Sequence, residues 1–546
     1  MRIAANKVKD LACMSQSMYT VSIYDTLGPE ATEYIINHSK LACVVTSLGH
    51  IPILLKLKPR LPTLKLIVSL DPLDSGEQEG QSKADILNAM AQDLGVSVTY
   101  IRDVEAQGEA AHQGYNAPKA DDIVTINYTS GTTGNPKAAV LTHGNAVAAT
   151  SASLVFLPSG NSDVICSYLP LAHIFERAVE HGQLWAGGAI GYFHGAILEL
   201  VDDLKLLRPT NFVSVPRLYN RFGAAIKEAT INQPGFKGAL SRRAVSTKLD
   251  NLKNPLSSSA SNKHLLWDTL WARKVTAAFG LDRCRNMVSG SAPIDPSLHQ
   301  FLRVVFANNF AQGYGLTETY AVSLLQLVGD LGAGSCGAVA PCIEVCLVDV
   351  PDMDYLTTDK PYARGEMLIR GNSRFREYLH NPEDTAKAID AEGWFHTGDI
   401  CYVDERGRFS IIDRVKNVLK LSQGEYISPE RIENVYLAEC PWLATAYVHG
   451  DSHQSALVGL FGIAPEAFAK FMGAALGKGE TLGAGAGGID VKALESLAQD
   501  KRVIRVVLDH LEKVARKNKF NGYERVKNLR LFVEPFTVEN ELLTPT

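Results

Sequence analysis

The sequence predicts an α/β protein with a large N-terminal domain and a small C-terminal one, and three observations lead to this prediction. Strand-like apolar runs alternate with helix-compatible segments through the first part of the chain. A loop rich in glycine and hydroxyl residues directly follows one of those runs. A second group of short β-type runs ends in a turn and a helix. Domains usually hold about 100–200 residues. With 546 residues, the chain is therefore expected to form two or three packed units.

The first strand-like runs are LACVVTS (41–47), LKLIVSL (64–70) and DIVTINYTS (122–130), and the helix-compatible segment NAVAATSASLVF (145–156) follows the last of them. This succession suits a layered α/β domain that binds its ligand in a loop at the end of a strand. The next segment, 231–264, is polar, basic and rich in serine, asparagine and proline, which predicts a mobile excursion.

Short β-type runs such as VCLVDV (345–350) and GEMLIRG (365–371) predict a second sheet or a distorted barrel over residues 335–412. The run FSIIDRVKNVLKL then meets QGEYISPERIENVY, which reads as a turn followed by a helix. A domain boundary near 413–416 follows. It divides the chain into a large domain (1–412) and a small, mobile α+β domain (413–546), in which TLGAGAGGID (481–490) predicts a flexible loop.

Composition excludes several classes of protein. The formal charge of −5 and a pI near 6.3 give no general attraction for a nucleic-acid backbone. Nine cysteines are scattered without a CxxC pair, so they predict free thiols in a reducing compartment and no zinc site. The first twenty residues hold no apolar run long enough for a signal peptide, and no run of about 18 apolar residues predicts a membrane span. Peripheral contact with a membrane surface is compatible with this sequence.

The most informative stretch is YTSGTTGNPK (128–137), which surrounds two glycines with four hydroxyl residues and ends on Lys137. Glycine lets backbone N–H groups approach an anion, and hydroxyls and an ammonium add further donors. The GxxxxGK[ST] spacing of a P-loop is absent, so this is a different triphosphate-binding loop. Its candidate ligand-binding residues are Thr129, Ser130, Gly131, Thr132, Thr133, Gly134 and Lys137.

Together with six further motifs, this loop resembles the adenylate-forming superfamily of acyl-CoA synthetases, luciferases and peptide-synthetase adenylation domains. The motifs occur in the order of that family and cover most of the chain. They are YTSGTTGNPKAAVLTHGN, LPLAHIFER, SGSAP, QGYGLTET, GEMLIRG, GWFHTGD and DRVKNVLKLSQGEYISPERIE. Their style is similar to that of eukaryotic long-chain fatty acid–CoA ligases, with fungal members the most similar.

The resemblance implies an enzyme with three substrates: a long-chain fatty acid, ATP and coenzyme A. The fatty carboxylate attacks the α-phosphate and releases pyrophosphate, and the CoA thiol then attacks the acyl-adenylate and expels AMP. The hydroxyl residues of the loop and Lys137 are expected to hold the β- and γ-phosphates. Glu318 is expected to hold Mg²⁺, and Thr317 to contact the α-phosphate region.

The resemblance also assigns the rest of the nucleotide site. Asp399 is expected to bind both ribose hydroxyls, and Arg414 to support the ribose or the phosphates. The adenine slot is expected to be formed by Gly290, Ser291, Ala292, Gly313, Tyr314 and Gly315, in which small residues admit a flat base and Tyr314 offers a stacking face.

Two further groups of residues are implied. The small domain is expected to rotate between the half-reactions about a hinge near Lys416, and Gly424, Tyr426 and Ile427 then face the site of thioester formation. The acyl tunnel and its aromatic gate are expected along the stretch from His173 to Gly188, with Trp185 either gating the tunnel or packing as an ordinary core residue.

The ends of the chain differ from the family pattern. The match begins near residue 12, and the last residues, FTVENELLTPT, stop before the segment in which relatives carry a lysine used in adenylation. We therefore expect a chain truncated at both ends, impaired in adenylation but able to form the thioester from preformed acyl-adenylate.

Other interpretations remain open at this point. They are another acyl-adenylating enzyme, such as a coumarate-type ligase or a fatty acyl–AMP ligase, and a catalytically impaired nucleotide- or lipid-binding protein. The expected location is intracellular, either in the cytoplasm or peripheral on the endoplasmic reticulum, lipid droplets or peroxisomes. Oligomeric state and acyl-chain length are left undetermined.

Overall fold

The computed structural model describes residues 10–24, 28–76, 82–111, 113–129, 136–254, 259–415, 419–421, 426–451, 454–475, 484–485, 488–489, 491–533 and 536. The strands, in chain order, are β1 (Thr20–Ser22), β2 (Cys43–Thr46), β3 (Leu66–Ser69), β4 (Ser97–Tyr100), β5 (Ile123–Thr129), β6 (Lys137–Thr142), β7 (Val164–Ser167), β8 (Ala189–Tyr192), β9 (Asn211–Ser214), β10 (Asn286–Ser289), β11 (Asn309–Tyr314), β12 (Leu324–Leu325), β13 (Ala338–Val339), β14 (Ile343–Val348), β15 (Arg364–Gly371), β16 (Glu377–Tyr378), β17 (Phe395–Val403), β18 (Phe409–Arg414), β19 (Leu419–Lys420), β20 (Tyr426–Ile427), β21 (Leu443–His449), β22 (Leu457–Ile463), β23 (Ala484–Gly485), β24 (Gly488–Ile489) and β25 (Val526–Phe532).

The α-helices are α1 (Pro29–His38), α2 (Ile51–Leu57), α3 (Lys83–Asp93), α4 (Ile101–Ala111), α5 (His143–Phe156), α6 (Ile174–Trp185), α7 (Leu200–Leu207), α8 (Pro216–Ala229), α9 (Gly235–Asp250), α10 (Leu265–Trp267), α11 (Arg273–Ala278), α12 (Pro296–Phe306), α13 (Pro382–Ala388), α14 (Pro429–Glu439), α15 (Pro465–Ala475), α16 (Val491–Gln499) and α17 (Lys501–Lys517). One π-helical turn, Asp268–Ala272, joins α10 to α11.

The largest sheet among the described residues has seven strands, in the order β13-β12-β11-β10-β9-β7-β8. The strands from β8 to β11 are parallel, β12 runs antiparallel to β11, and β13 runs antiparallel to β12. Both faces are covered, which explains the continuous apolar runs of these strands. Phe212, Met287 and Phe310 pack against α8 and α12 on one face, while Val288 and Ala311 pack against α5 on the other.

The phosphate loop lies between two antiparallel strands. β5 and β6 pair along their length, with Thr129 opposite Lys137, and β1 and β16 complete a four-stranded sheet. The sequence predicted a strand ending at 130 and a helix from 145, and both are present. The intervening strand β6 was not predicted. Residues 130–135 of the loop lie outside the described part of the chain.

The N-terminal runs predicted as strands at 41–47 and 64–70 are β2 and β3, which pair in parallel with each other and with β4. Helices α1, α2 and α3 supply apolar side chains to the core of this small sheet. The N-terminal part of the chain is therefore built from several separate sheets with helices between them.

The region predicted as a second sheet or distorted barrel is an open antiparallel sheet in the order β14-β15-β17-β18. In the described residues β14 and β18 are its edges and do not pair, so the ring of a barrel is not closed. A register shift between Ile400 and Cys401 sets Asp399 directly opposite Arg414.

The segment 231–264 contains a correction to the sequence analysis. It was predicted to be mobile, yet α9 occupies sixteen of its residues. The buried positions Ser241, Ala244, Val245 and Lys248 follow the spacing of one helix face, and that face packs against the helix that contains Trp271. Because the segment is polar overall, this helical periodicity is not evident as an apolar pattern in the sequence.

Residues after position 420 build a core of their own. The sheet β21-β22-β25 packs with α14 to α17, and every buried residue of this cluster lies between Leu421 and Val533. The predicted helix after ISPE is α14. Of the predicted flexible loop 481–490, only β23 and β24 are described. Among the helices that the structure describes, none has the length and apolar character needed to cross a bilayer.

Candidate active site

A cavity of about 790 Å³ lies between the seven-stranded sheet and helices α5 and α6. One end is polar and is lined by groups from several elements, among them Thr129, Lys137, Glu318 and Arg414. The other end is lined largely by aliphatic side chains such as Leu154, Leu157, Ile165, Val213 and Val288. A polar compartment and an apolar one therefore open into each other.

Glu318 lies at the polar end, in a short 3₁₀ turn that follows β11. Its side chain is buried, and Tyr378 donates a hydrogen bond of 2.8 Å to Oε1. Burial raises the pKa of this carboxyl, while the Tyr378 hydroxyl acts in the opposite direction. A buried carboxylate facing a cavity is a strong ligand for a cation because water does not screen it.

Lys137 is the first residue of β6, and its side chain also lies at the polar end of the cavity. Its Nζ lies 2.9 Å from Asp384 and 5.3 Å from the centroid of the Tyr378 ring. The salt bridge lowers the pKa of Asp384. Tyr378 is held by its backbone, because β16 pairs with β6 and sets Tyr378 opposite Ala139. One tyrosine therefore contacts both the candidate phosphate-binding lysine and the candidate metal-binding carboxylate.

Asp399 is nearly inaccessible and accepts two strong hydrogen bonds. Tyr314 donates from its hydroxyl at 2.5 Å, and Arg414 donates from Nε at 2.6 Å. The carboxylate raises the pKa of Arg414 against the opposing effect of burial. Burial first, and Asp399 second, raise the pKa of Tyr314 well above its ordinary value. The predicted trio of Tyr314, Asp399 and Arg414 is brought together.

The predicted adenine slot is shaped by close backbone approaches. A Cβ on Gly315 would lie 2.0 Å from the Ala321 carbonyl oxygen, and one on Gly290 would lie 2.8 Å from the ring of Phe175. Gly313 and Ser291 also line the cavity, and Ser291 has a φ of 69°. Ala292 is exposed and does not line the cavity, so the structure separates it from the other members.

At the apolar compartment, His173 lines the cavity and caps α6 by accepting a hydrogen bond from the Phe175 amide at 3.2 Å. Burial lowers its pKa. Trp185 was predicted either to gate the tunnel or to pack in the core, and the structure shows neither. Its side chain is 59% exposed at the C-terminal end of α6, away from the cavity lining.

A row of asparagines lies where the apolar compartment reaches the first residues of the strands. Asn286 donates to Asn211 Oδ1 at 2.8 Å, and Asn309 donates to Asn286 Oδ1 at 3.2 Å. Asn211 in turn donates to Ser159 Oγ at 3.3 Å. Asn211, Asn286 and Ser159 all line the cavity, so this hydrogen-bonded row marks its far end with amide groups.

The remaining predicted residues divide into three groups. Thr129 and Thr317 line the cavity. Ile427 does not, because its apolar side chain is buried in the C-terminal core, and of Tyr426 only the backbone is described. Outside the described residues lie Ser130, Gly131, Thr132, Thr133, Gly134, Lys416 and Gly424.

Sequence reasoning missed Tyr378, Asp384 and Phe175, although each contacts a predicted residue. Tyr378 and Asp384 follow the GEMLIRG motif in the stretch REYLHNPEDT, which holds an aromatic residue and a run of acids. That pattern alone names no ligand. Only the pairing of β16 with β6 brings this stretch to Lys137.

Comparisons with known proteins agree on one family. AMP-binding enzymes match this chain over residues 8–379. The peroxisomal acyl-CoA ligase 891 of Penicillium roqueforti is 60% identical over 540 residues, which cover 99% of this chain and 76% of that protein. The peroxisomal long chain acyl-CoA synthetase 7 of Arabidopsis thaliana is 39% identical over 539 residues, covering 99% and 73%. Long-chain-fatty-acid–CoA ligase 5 of Rattus norvegicus is 37% identical over 547 residues, covering 99% and 75%.

Solved structures share the fold. The adenylation domain of a carboxylate reductase from Mycobacterium chelonae superimposes with a TM-score of 0.77 at 24% identity, covering 98% of this chain and 74% of that one. The corresponding domain from Segniliparus rugosus, in complex with AMP and a co-purified carboxylic acid, gives a TM-score of 0.75 at 24% identity, covering 99% and 77%. The predicted adenylate-forming fold is confirmed by these neighbours.

Proposed function

Because this chain belongs to the AMP-binding enzyme family, we propose that it is a long-chain fatty acid–CoA ligase that works through an acyl-adenylate. ATP and a fatty acid give acyl-adenylate and pyrophosphate, and CoA then gives acyl-CoA and AMP. The observation that carries the proposal is the two-compartment cavity: its polar end holds Lys137 and Glu318, and its other end is aliphatic. The sequence prediction of this family, with fungal members among the most similar, is confirmed.

At the polar end we assign the β- and γ-phosphates to Lys137, to Thr129 and to the loop residues Ser130, Gly131, Thr132, Thr133 and Gly134. An ammonium beside the phosphates neutralises charge that builds up as pyrophosphate leaves. Asp384 holds that ammonium in place until the nucleotide arrives, since it lies 2.9 Å away. Thr317 lines the cavity next to Glu318 and is assigned to the α-phosphate region.

For the nucleoside we assign Asp399 to the ribose hydroxyls. Its two donors, Tyr314 and Arg414, fix the carboxylate in one orientation, which supports the assignment. We assign the base to the narrow space beside Gly290, Ser291, Gly313, Tyr314 and Gly315, where small residues let the backbone approach a flat ring. Ala292 stays a prediction for the edge of this space.

Glu318 fits the role of a Mg²⁺ ligand. It is a buried carboxylate with a raised pKa that lines the cavity near Lys137, and a cation there would favour its ionised form. A single carboxylate combined with phosphate oxygens is a usual way to bind this ion. When bound, Mg²⁺ supplies charge neutralisation on the phosphates. In the described residues no group of three metal-binding side chains occurs, so phosphates and water would complete the coordination.

The fatty acid is assigned to the aliphatic compartment beyond His173. Each buried methylene of an alkyl chain is worth about 0.8 kcal/mol, so a long apolar channel favours long acids. Phe175 lies in the first turn of α6, two residues after His173. It packs over Gly290 and so lies between the two compartments.

We propose a division into a large domain of residues 1–412 and a small one of residues 413–546, with Lys416 at the hinge. The separate core of residues 421–533 supports it. Gly424, Tyr426 and Ile427 are proposed for the face used in thioester formation, with Ile427 acting through the core that supports that face.

Two of the relatives are named as peroxisomal, and on that ground we propose the peroxisome over the other locations compatible with the sequence. We also propose that the protein contacts a membrane surface there.

The function is tested by ATP–pyrophosphate exchange and by CoA-thioester formation with short, medium and long saturated acids and with aromatic acids. We expect the highest kcat/KM with long acids. Glu318→Gln should abolish exchange, whereas Glu344→Gln, at an exposed carboxylate paired with Arg370, should not change it. Preference for aromatic acids, or exchange unaffected by Glu318→Gln, would contradict the proposal.

A further inference from the structure

The segment 231–285, which we call the basic excursion, carries a charge opposite to that of the rest of the chain. It holds ten lysines and arginines and three aspartates, a net charge of +7. Since the whole chain carries −5, the remaining residues together carry −12. The structure describes the excursion over 231–254 and 259–285, and it is formed mainly by α9 and by the continuous helix from α10 to α11.

The acidic residues of the excursion are already paired. Asp268 contacts Lys248 at 2.5 Å, Asp250 contacts Lys253 at 2.8 Å, and Asp282 forms a salt bridge with Arg208. Within the described residues, seven exposed cations of the excursion have no carboxylate in salt-bridge range. These cations are Lys237, Arg242, Arg243, Lys263, Arg273, Lys274 and Arg283. The surface therefore presents an uncompensated positive field.

Large apolar side chains lie among these cations. Leu265 is 92% exposed, and Leu266 and Leu270, one helical turn apart, are 53% and 49% exposed. On the neighbouring helix α9, Phe236 is 82% exposed. Single exposed leucines are ordinary, but three within six residues form an apolar patch, and such patches mark interaction surfaces.

The helix that carries the apolar patch is fixed to the rest of the fold by side-chain contacts. Trp271 donates from Nε1 to Ser241 Oγ at 3.0 Å, and the buried Lys248 reaches Asp268, so two bonds join α9 to the helix that carries the leucines. Trp271 and Ala272 are buried in the core of the large domain. The exposed leucines thus lie on the outer side of a helix whose inner side is anchored.

The excursion also contacts the seven-stranded sheet at the edge where its strands begin, next to the far end of the aliphatic compartment. Asn262 donates to the Asn308 carbonyl oxygen at 2.7 Å. The next residue, Asn309, donates to Asn286, which lines the cavity. The patch and the far end of the proposed acyl compartment therefore share one edge of the seven-stranded sheet.

We propose that Leu265, Leu266 and Leu270, together with Lys263, Arg273 and Lys274, form a docking face for an anionic lipid bilayer. This inference rests on the proposed function, because the bilayer is then the phase from which the fatty acid is taken. Lipid headgroups match the cations, and the acyl boundary below them accepts the leucines. A nucleic acid or an acidic protein surface would satisfy the cations alone.

The test is co-sedimentation of the full chain with vesicles of phosphatidylcholine alone and of phosphatidylcholine mixed with phosphatidylserine. The leucine variant is L265S/L266S/L270S and the charge variant is K263E/R273E/K274E. The control is I86S/M90S, which removes two exposed apolar residues from α3. We expect wild type and control to bind mixed vesicles at least about tenfold more tightly than neutral ones, and both test variants to lose at least that factor.

Equal vesicle binding by wild type and the leucine variant, or no binding by wild type, would overturn the proposal. Loss with the charge variant alone would also overturn it and assign the face to polyanions in general. Pyrophosphate exchange with a medium-chain acid in free solution separates this proposal from the function itself. It should be the same in all four proteins if they are folded and active, whatever their vesicle binding.

Discussion

At the scale of single residues, Tyr378 connects groups that the sequence treats as unrelated. Its hydroxyl donates to Glu318, and its ring lies beneath the Lys137 ammonium. Tyr378 also lines the cavity, next to both of these side chains. We assign it a positioning role on the basis of these contacts, so removal of its hydroxyl should act on the orientation of Glu318 and leave the fold intact.

Tyr378→Phe removes the hydroxyl and keeps the ring. We expect the rate of pyrophosphate exchange to fall by about tenfold or more, since a hydrogen bond to a charged group is worth roughly 1.5–3 kcal/mol. The Mg²⁺ dependence of exchange should shift to higher concentration, because the carboxylate loses its fixed partner. Tyr402→Phe, whose ring stacks on Tyr362 away from the site, is the matched control. An unchanged Mg²⁺ profile would contradict the assigned role.

Glu433 in α14 gives a prediction about pH. Burial raises the pKa of this carboxyl to about 7, although it accepts a hydrogen bond of 2.7 Å from the Val448 amide. The unfolded chain releases this proton near its ordinary value, so between the two values the folded chain holds more protons. The contribution of Glu433 to stability is therefore most favourable at low pH and is lost as pH rises through about 7.

Glu433→Gln keeps an acceptor for Val448 and removes the charge. The variant should be more stable than wild type above neutral pH, by a difference on the order of 2 kcal/mol, and the difference should vanish below about pH 4, where the carboxyl is protonated in both states. Urea unfolding followed through the fluorescence of Trp442, which is buried in the same core, measures it. A difference independent of pH would exclude the carboxyl as its source.

At the scale of elements, the sequence predicted β2, β3, β5, α5 and α14 because each has a strong apolar run or a clear helical stretch. It failed at α9, where serine and basic residues dominate and the buried face itself contains Ser241 and Lys248. It also failed at β6, because the pairing of KAAVLT with β5 is a tertiary event. The candidate residues could be named from motifs, but Tyr378 and Asp384 could not, since only strand pairing brings them to Lys137.

Whether α9 is a packed helix can be tested by introducing a carboxylate at a buried and at an exposed position of the helix. Ala244→Asp puts an unpaired carboxylate into a position with 0% exposure, and we expect a loss of about 2–4 kcal/mol in unfolding free energy. Ser246→Asp changes an exposed position of the same helix and should stay within about 0.5 kcal/mol of wild type. If the segment were a mobile excursion, the two variants would behave alike in thermal and urea unfolding.

At the scale of the whole molecule, the proposed large and small domains touch through surface contacts as well as through the chain. Lys470 of α15 lies 2.6 Å from Glu228 at the end of α8, and both side chains are largely exposed. An exposed pair of this kind contributes about 0–1 kcal/mol. Such a contact is weak enough to break during the proposed rotation of the small domain.

Joining these two positions should therefore separate the half-reactions. In Glu228→Cys/Lys470→Cys, cross-linked with a short bismaleimide, one half-reaction should persist while the other falls by at least about tenfold. Pyrophosphate exchange and thioester formation from preformed acyl-adenylate measure them separately. The single-cysteine variants, treated in the same way, control for modification of native thiols such as the exposed Cys43. Equal loss or equal retention of both activities would speak against a moving domain.

The row of asparagines at the starts of β9, β10 and β11 sets a limit on the length of acyl chain that the aliphatic compartment favours. Asn211, Asn286 and Asn309 hold one another through their side-chain amides, so the last stretch of the aliphatic compartment ends on polar groups. A lengthening alkyl chain gains about 0.8 kcal/mol with every methylene that meets hydrocarbon. A methylene pressed against an amide gains little, because it competes with a hydrogen bond. Selectivity for acid length should consequently rise steadily and then level off, with the plateau marking the distance from the carboxylate to Asn286.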